Sequence, residues 1–161
     1  MVTLTKSQGN LLLKLARKAI EEALKHKTVK VSTAVRRKEI FLQQPGVFVT
    51  LLKNGELTGS VGYPEGTYPL IDAVIRAARD AAFNDPRFKA VKKSGLQQLR
   101  IRIDVLSKFK QTGISGIKPR KQGIYVKYGP FKALQLPEDA KKFKWTARQM
   151  IENCLRKAGL A

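Results

Sequence analysis

Residues 56–64, Glu56-Leu57-Thr58-Gly59-Ser60-Val61-Gly62-Tyr63-Pro64, decide how the rest of the chain is read. Ahead of them, Asn54-Gly55 supplies two left-handed residues for a tight hairpin turn, which predicts strands over Val47–Lys53 and Glu56–Tyr63. Gly59, Gly62 and Gly66 punctuate the second strand and its exit, where a backbone without Cβ atoms can come close to something else. Pro69 then stands where a helix can begin, because its missing N–H would be unpaired there in any case. Leu70, Ile71, Val74, Ile75, Ala78, Ala81 and Ala82 form one broad apolar stripe, predicting a buried helix to about Asn84 that Asp85-Pro86-Arg87-Phe88 stops.

The flanks supply the remaining elements. Thr5-Lys6-Ser7-Gln8 has capping-box spacing, and Leu11, Leu12, Leu15, Ala16, Ala19, Ile20 and Ala23 predict an amphipathic helix over 6–25. Its other face carries Lys14, Arg17, Lys18 and Glu21, and His26 falls at its frayed end as a solvated residue. Val29 and Val31 alternate with Lys30, suggesting a short exposed strand before the turn Gln43-Gln44-Pro45-Gly46. After the central helix comes a basic loop at 89–95. Leu99, Ile101, Ile103 and Val105 then alternate with Arg100, Arg102 and Asp104, a strand with one core face and one basic face. Gly129-Pro130 separates 123–128 from 131–136 as a second hairpin, which Pro137-Glu138-Asp139 ends. Thr146-Ala147-Arg148-Gln149 repeats the capping box and opens a last helix with Met150, Ile151, Cys154, Leu155 and Ala158 on its buried stripe and Gly159 as its stop.

Composition narrows the function classes. At 161 residues the chain is long enough for a single domain over 1–161 that buries about two-thirds of its unfolded surface. One cysteine makes no internal disulfide, and Cys154 on a buried stripe is expected to be a small core residue. No apolar run approaches the roughly 18 residues of a membrane span, and Met1-Val2-Thr3-Leu4-Thr5-Lys6 is not a secretion signal, so no membrane is expected and a cytoplasmic protein is. One Cys and one His, far apart, cannot close a zinc site; Asp72, Asp80 and Asp85 could offer a hard cation only carboxylates, but Asp72 and Asp80 lie two turns apart and the three read as solvated helix-surface acids, so no metal or cofactor is expected. The outlier is charge. Thirty-two Lys and Arg against twelve Asp and Glu give +20, an excess that attracts polyanions, RNA or DNA first among them, or that merely keeps the surface soluble.

Beyond these patterns the chain resembles the AMMECR family, named after the chromosomal region of Alport syndrome, midface hypoplasia, intellectual disability and elliptocytosis. Residues 57–63 look like its L-R-G-C-I-G signature, with Thr58 in place of Arg and Ser60 in place of Cys. The match continues through the alanine-rich helix, Asp85-Pro86-Arg87-Phe88, Val105-Leu106-Ser107, Gly123-Ile124, Leu134-Gln135-Leu136-Pro137, Trp145 and the tail from Cys154 to Leu160, in family order over nearly the whole chain. The resemblance implies a microbial-type single-domain α+β protein: two βαβ-type units forming a larger and a smaller lobe with a cleft between them, and an extra N-terminal helix. It attaches no settled reaction to that fold. It also implies an accessory role beside Memo-type and radical-SAM proteins, which such relatives accompany in microbes.

Three functions compete for these residues. The favoured one is a non-catalytic or accessory protein that binds a ligand or partner at a cleft formed by Thr58, Gly59, Ser60, Val61, Gly62, Tyr63 and Arg87. Gly59 and Gly62 allow backbone N–H groups to face an anion, though neither a Walker nor a dinucleotide fingerprint is present. Arg87 is expected either to tie its loop to a carboxylate or to face the cleft. The second is nucleic-acid binding through Arg36, Arg37 and Lys38 together with Lys108, Lys110, Lys118, Arg120, Lys121 and Lys127. Phe109, Tyr125, Tyr128, Phe131, Phe143 and Trp145 interleave with cations and can stack bases, but their strand positions and the capped helix suit core and lobe packing better. The last is an enzyme using Ser60, which is disfavoured because a serine hydroxyl needs an adjacent base and no free histidine is available.

Overall fold

The computed structural model describes residues 2–161; Met1, at the head of the stretch read as no secretion signal, lies outside them. The fold is α+β, with helices packed on two small antiparallel sheets. It divides into two units, residues 1–108 and 109–161.

In the first unit, α1 (Lys6–Ala23) is opened by Thr5, which accepts from the Gln8 backbone while the Gln8 side chain accepts from the Thr5 N–H at 2.8 Å. Both orphan donors are thereby satisfied. His26 ends the segment in the left-handed region at φ 57°. Arg17 is not a solvated face residue: its guanidinium donates to the Leu96 and Leu99 carbonyls at 3.1 and 2.5 Å. The stretch around Val29 and Val31 forms no strand. Instead, Ser32 caps α2 (Thr33–Arg36), and α3 (Glu39–Leu42) buries Phe41. The valine alternation is cut short by Ser32, which caps α2, and Val29 and Val31 pack on the core cluster without their backbone joining a sheet.

That central strand is β1 (Val47–Lys53), flanked by β2 (Glu56–Tyr63) and, after α4 (Leu70–Phe83), by β3 (Leu99–Val105). The turn between β1 and β2 has positive φ at both Asn54 and Gly55, as a two-residue hairpin requires. Val47, Val49 and Leu51 are fully buried in the cluster that contains α1 and α4, so alternation sends Phe48 and Thr50 to the opposite sheet face. Truncating such a residue, Leu51→Ala for instance, costs about 2–5 kcal/mol.

In the second unit β4 (Ile124–Tyr128) and β5 (Phe131–Gln135) pair around Gly129, whose φ is +56°. Pro137 does more than end the hairpin. It is the first residue of α5 (Pro137–Lys142), whose acids Glu138 and Asp139 precede Lys141 and Lys142 in the order the helix dipole favours. Then α6 (Ala147–Ala158), capped by Thr146 and stopped by Gly159 at φ 77°, lays Cys154 and Ala158 on Ala133, Ile124 and Val126. Cys154 is buried and burial pushes its thiol pKa up, the opposite of a reactive thiolate.

Candidate recognition edge

Since β1 is central, β2 has a free side, and the residues around Ser60 show how that side is managed. Thr50 and Ser60 are direct cross-strand partners. The Ser60 N–H nevertheless turns away from β1 and donates to Asp85 Oδ2 at 2.9 Å, while the Ser60 carbonyl accepts from Arg87 Nη2 at 3.0 Å. Asp85 and Arg87 are joined in turn by two parallel bonds, Nε to Oδ1 at 3.0 Å and Nη2 to Oδ2 at 2.8 Å. The Asp85-Pro86-Arg87 turn is thus a buckle that occupies one residue of the β2 edge. Of the alternatives for Arg87, the carboxylate tie is the one observed.

The electrostatics follow from the geometry. The Asp85 side chain is 3% exposed and that of Arg87 48%. The guanidinium, helped by the Ser60 and Arg87 backbone N–H groups and opposed by burial, holds the Asp85 carboxyl at about 2, below the ordinary 3.8. Asp85 in turn raises the Arg87 pKa. The third guanidinium nitrogen, Nη1, carries no bond among the described residues, and the guanidinium carbon lies 5.2 Å from the Phe88 ring centre.

The glycines do not line an empty recess. A Cβ on Gly59 would collide with the Ala81 carbonyl of α4, and one on Gly62 with the Val47 carbonyl and the Phe48 ring. Close approach was the correct expectation, but what approaches is the protein's own backbone and side chain. Ser60 and Gly62 are two apart in an extended strand, so the Gly62 N–H and C=O face the same outer edge as those of Ser60. Thr58 donates to the Leu51 carbonyl at 3.2 Å beside an irregularity in the β1–β2 register, and Val61 packs on the core.

Toward the end of β2 lies a group the sequence reading did not assemble. The Tyr63 hydroxyl donates to Asp80 Oδ2 at 2.9 Å, and burial together with that carboxylate pushes its pKa to about 12. Tyr68 meets Tyr63 edge-on at 5.0 Å, and the Arg76 guanidinium sits 4.6 Å over the Tyr68 ring. The only sequence clue was the i, i+4 spacing of Asp72, Arg76 and Asp80 along α4. None of the three acids read as solvated is so: Asp85 is buried on Arg87, Asp72 pairs with Arg36 at 2.6 Å and Asp80 also accepts from Asn84. Arg36 is therefore committed within the fold, while Arg37 and Lys38 are exposed. So are Lys108, Lys110, Lys118, Arg120, Lys121 and Lys127. The aromatics expected to pack inside do not all do so: Phe109, Tyr128, Phe131 and Phe143 are exposed.

Ser60 Oγ lies 3.1 Å from Thr50 Oγ1, hydroxyl to hydroxyl. The carboxylate close by, Asp85, is a weak base at a pKa near 2 and is engaged by Arg87. Among the described residues no three His, Cys, Asp or Glu side chains cluster as metal ligands, and no helix is long and apolar enough to cross a membrane.

Comparison with known proteins finds relatives that match nearly the whole chain. Residues 13–161 fit the family model described as AMMECR1. A protein of Methanothermobacter thermautotrophicus is 38% identical, with 98% of this chain and 85% of the relative covered. One of Thermococcus kodakarensis is 32% identical over 94% of this chain and 79% of its own length. Among solved structures, the crystal structure of the uncharacterized protein PH0010 from Pyrococcus horikoshii is similar with a TM-score of 0.84 and 31% identity, covering 98% of this chain and 82% of that one.

Proposed function

Starting from the fact that the chain belongs to the AMMECR1 family, we propose that it acts by recognition and not by chemistry, as an accessory protein that takes an anionic group of a ligand or partner at the outer edge of β2. The observation that carries this reading is Arg87: a half-exposed guanidinium oriented by a buried carboxylate and a backbone carbonyl, with Nη1 left over. A guanidinium fixed in this way presents its remaining donors to a carboxylate or phosphate with little entropy left to lose. Farther along β2, the Gly62 edge groups and the Arg76–Tyr68 pair add donors, an acceptor and an aromatic surface. The disarmed base beside Ser60 speaks against covalent catalysis there. Memo-type and radical-SAM proteins, the partners that the family kinship implies, are the first to try.

Arg87→Lys keeps the charge that neutralises Asp85 but removes the fork. Capture from a nuclease-treated lysate, wild type beside this variant and with both melting curves recorded, is the test. The variant should lose the specific partners while melting within a few degrees of wild type. An unchanged partner profile would remove β2 and Arg87 from consideration.

A further inference from the structure

One short pattern occurs twice in the second unit's sequence and its approach, and recognition at β2 makes no use of it: Lys108-Phe109-Lys110 and Lys142-Phe143-Lys144. In both places the phenylalanine is about half exposed, 46% for Phe109 and 56% for Phe143. Each lies nearly flat on a second ring: Phe109 on Tyr125 with centres 4.6 Å apart at 16°, and Phe143 on Trp145 at 5.4 Å and 23°. All four flanking lysines are exposed, and Lys142 Nζ stands 5.3 Å from the Phe143 ring. The second platform is held with some strain. Lys144 sits in the left-handed region at φ 52°, and the Trp145 N–H returns to the Ala140 carbonyl at 3.0 Å.

We infer that these two lysine-flanked ring stacks are binding platforms for single-stranded nucleic acid, each taking one unpaired base on the outer face of its phenylalanine while the lysines meet the adjoining phosphates. A half-exposed ring already backed by a second, partly buried ring offers π surface on which a base stacks without regard to its identity, and at Phe143 the flexible Lys142 side chain over the ring swings aside to meet the phosphate. The surrounding charge suits a polyanion, since residues 109–161 hold twelve Lys and Arg against three Asp and Glu. A duplex would satisfy the lysines but keep its bases from the rings. An anionic membrane would satisfy the charge without using the ring-on-ring geometry.

Trp145 is the one tryptophan of the chain, so its emission reports on the second platform without a label. A single-stranded dT 20-mer should quench it, whereas a hairpin duplex of equal charge should not. With a fluorescein-labelled 20-mer read by anisotropy, Phe109→Ala and Phe143→Ala should each weaken binding by roughly tenfold, within the 5- to 150-fold span of base–aromatic stacking, and leave duplex binding as it was. Both side chains are half exposed, so a melting curve near that of wild type separates lost stacking from lost folding. The pair Lys110→Gln and Lys142→Gln should instead flatten the plot of log affinity against log salt by about 1.4 for a single strand. Alanine variants that bind the 20-mer like wild type would overturn the inference. So would binding with unchanged Trp145 emission, or a blue shift on phosphatidylserine vesicles with no response to the oligonucleotide.

Discussion

Replacing Asp85 by Asn tests the buckle that organises the β2 edge. Asn is the same size, but it brings no charge to Arg87 and points an NH2 group where one carboxylate oxygen now accepts from donors. In the wild type the Asp85 pKa lies at about 2, below the ordinary 3.8, so the charged form is favoured by the fold. That difference corresponds to roughly 2 kcal/mol at neutral pH, a discounted figure because Arg87 is half in water. The sign is that of a depressed carboxylate. Its contribution is complete above the unfolded-state pKa and is lost as pH falls through 4 toward 2. Urea unfolding of wild type and Asp85→Asn, side by side at several pH values, cancels the titration of every other acid. The variant should be less stable by roughly 2–3 kcal/mol at pH 7, and the gap should shrink to about half near pH 3. Equal stability at pH 7 would refute the reasoning, and so would a gap that does not change with pH, since packing alone would then account for it.

Three other outcomes follow from the structure. Gly59→Ala drives a methyl group into the Ala81 carbonyl and should cost at least about 2 kcal/mol in urea unfolding, whereas Gly9→Ala, in open space within α1, should stabilise by roughly 0.5–1 kcal/mol. Ser60→Ala removes a single hydroxyl bond to Thr50 and should cost only about 1 kcal/mol by the same measurement; a loss matching that of Asp85→Asn would mean the side chain, not the backbone, is what matters at residue 60. An ultraviolet titration should show a tyrosine ionising near 12, and Tyr63→Phe should abolish that step.

Much of the fold was legible because local and global signals agreed. Both capping boxes formed as spaced, Asn54-Gly55 made its turn, and the alternation from Leu99 to Val105 became β3. The failures came where one residue type serves two purposes. Pro137 can end a strand or begin a helix, and only the buried Ala140 behind it decides for α5. Val29 and Val31 have strand-like alternation, but the helix that Ser32 caps begins at once behind them, and three extended residues pair with nothing. The site was harder to see. Asp85 and Arg87 were visible as a pair two residues apart, yet nothing in the sequence says that both turn onto Ser60, twenty-five and twenty-seven positions earlier. Tyr63 with Asp80, and Arg76 with Tyr68, come together only once α4 has crossed the end of β2.

The buckle also accounts for a departure from the family signature. With Ser60 where the signature has Cys, a nucleophile at this position would have been replaced by a poorer one. In the structure the work at residue 60 is done by the backbone: its N–H and carbonyl hold Asp85 and Arg87, while the side chain shares a hydrogen bond with the Thr50 hydroxyl. A thiol and a hydroxyl are of similar size and either can sit against Thr50, so the exchange leaves the edge intact. The glycines at 59 and 62 have no such latitude, because each is packed against a carbonyl oxygen. The signature is therefore best understood as a specification for backbone placement. It brings α4 down on Gly59 and Phe48 over Gly62, and holds between them a strand edge on which an arginine can be fixed and still face outward.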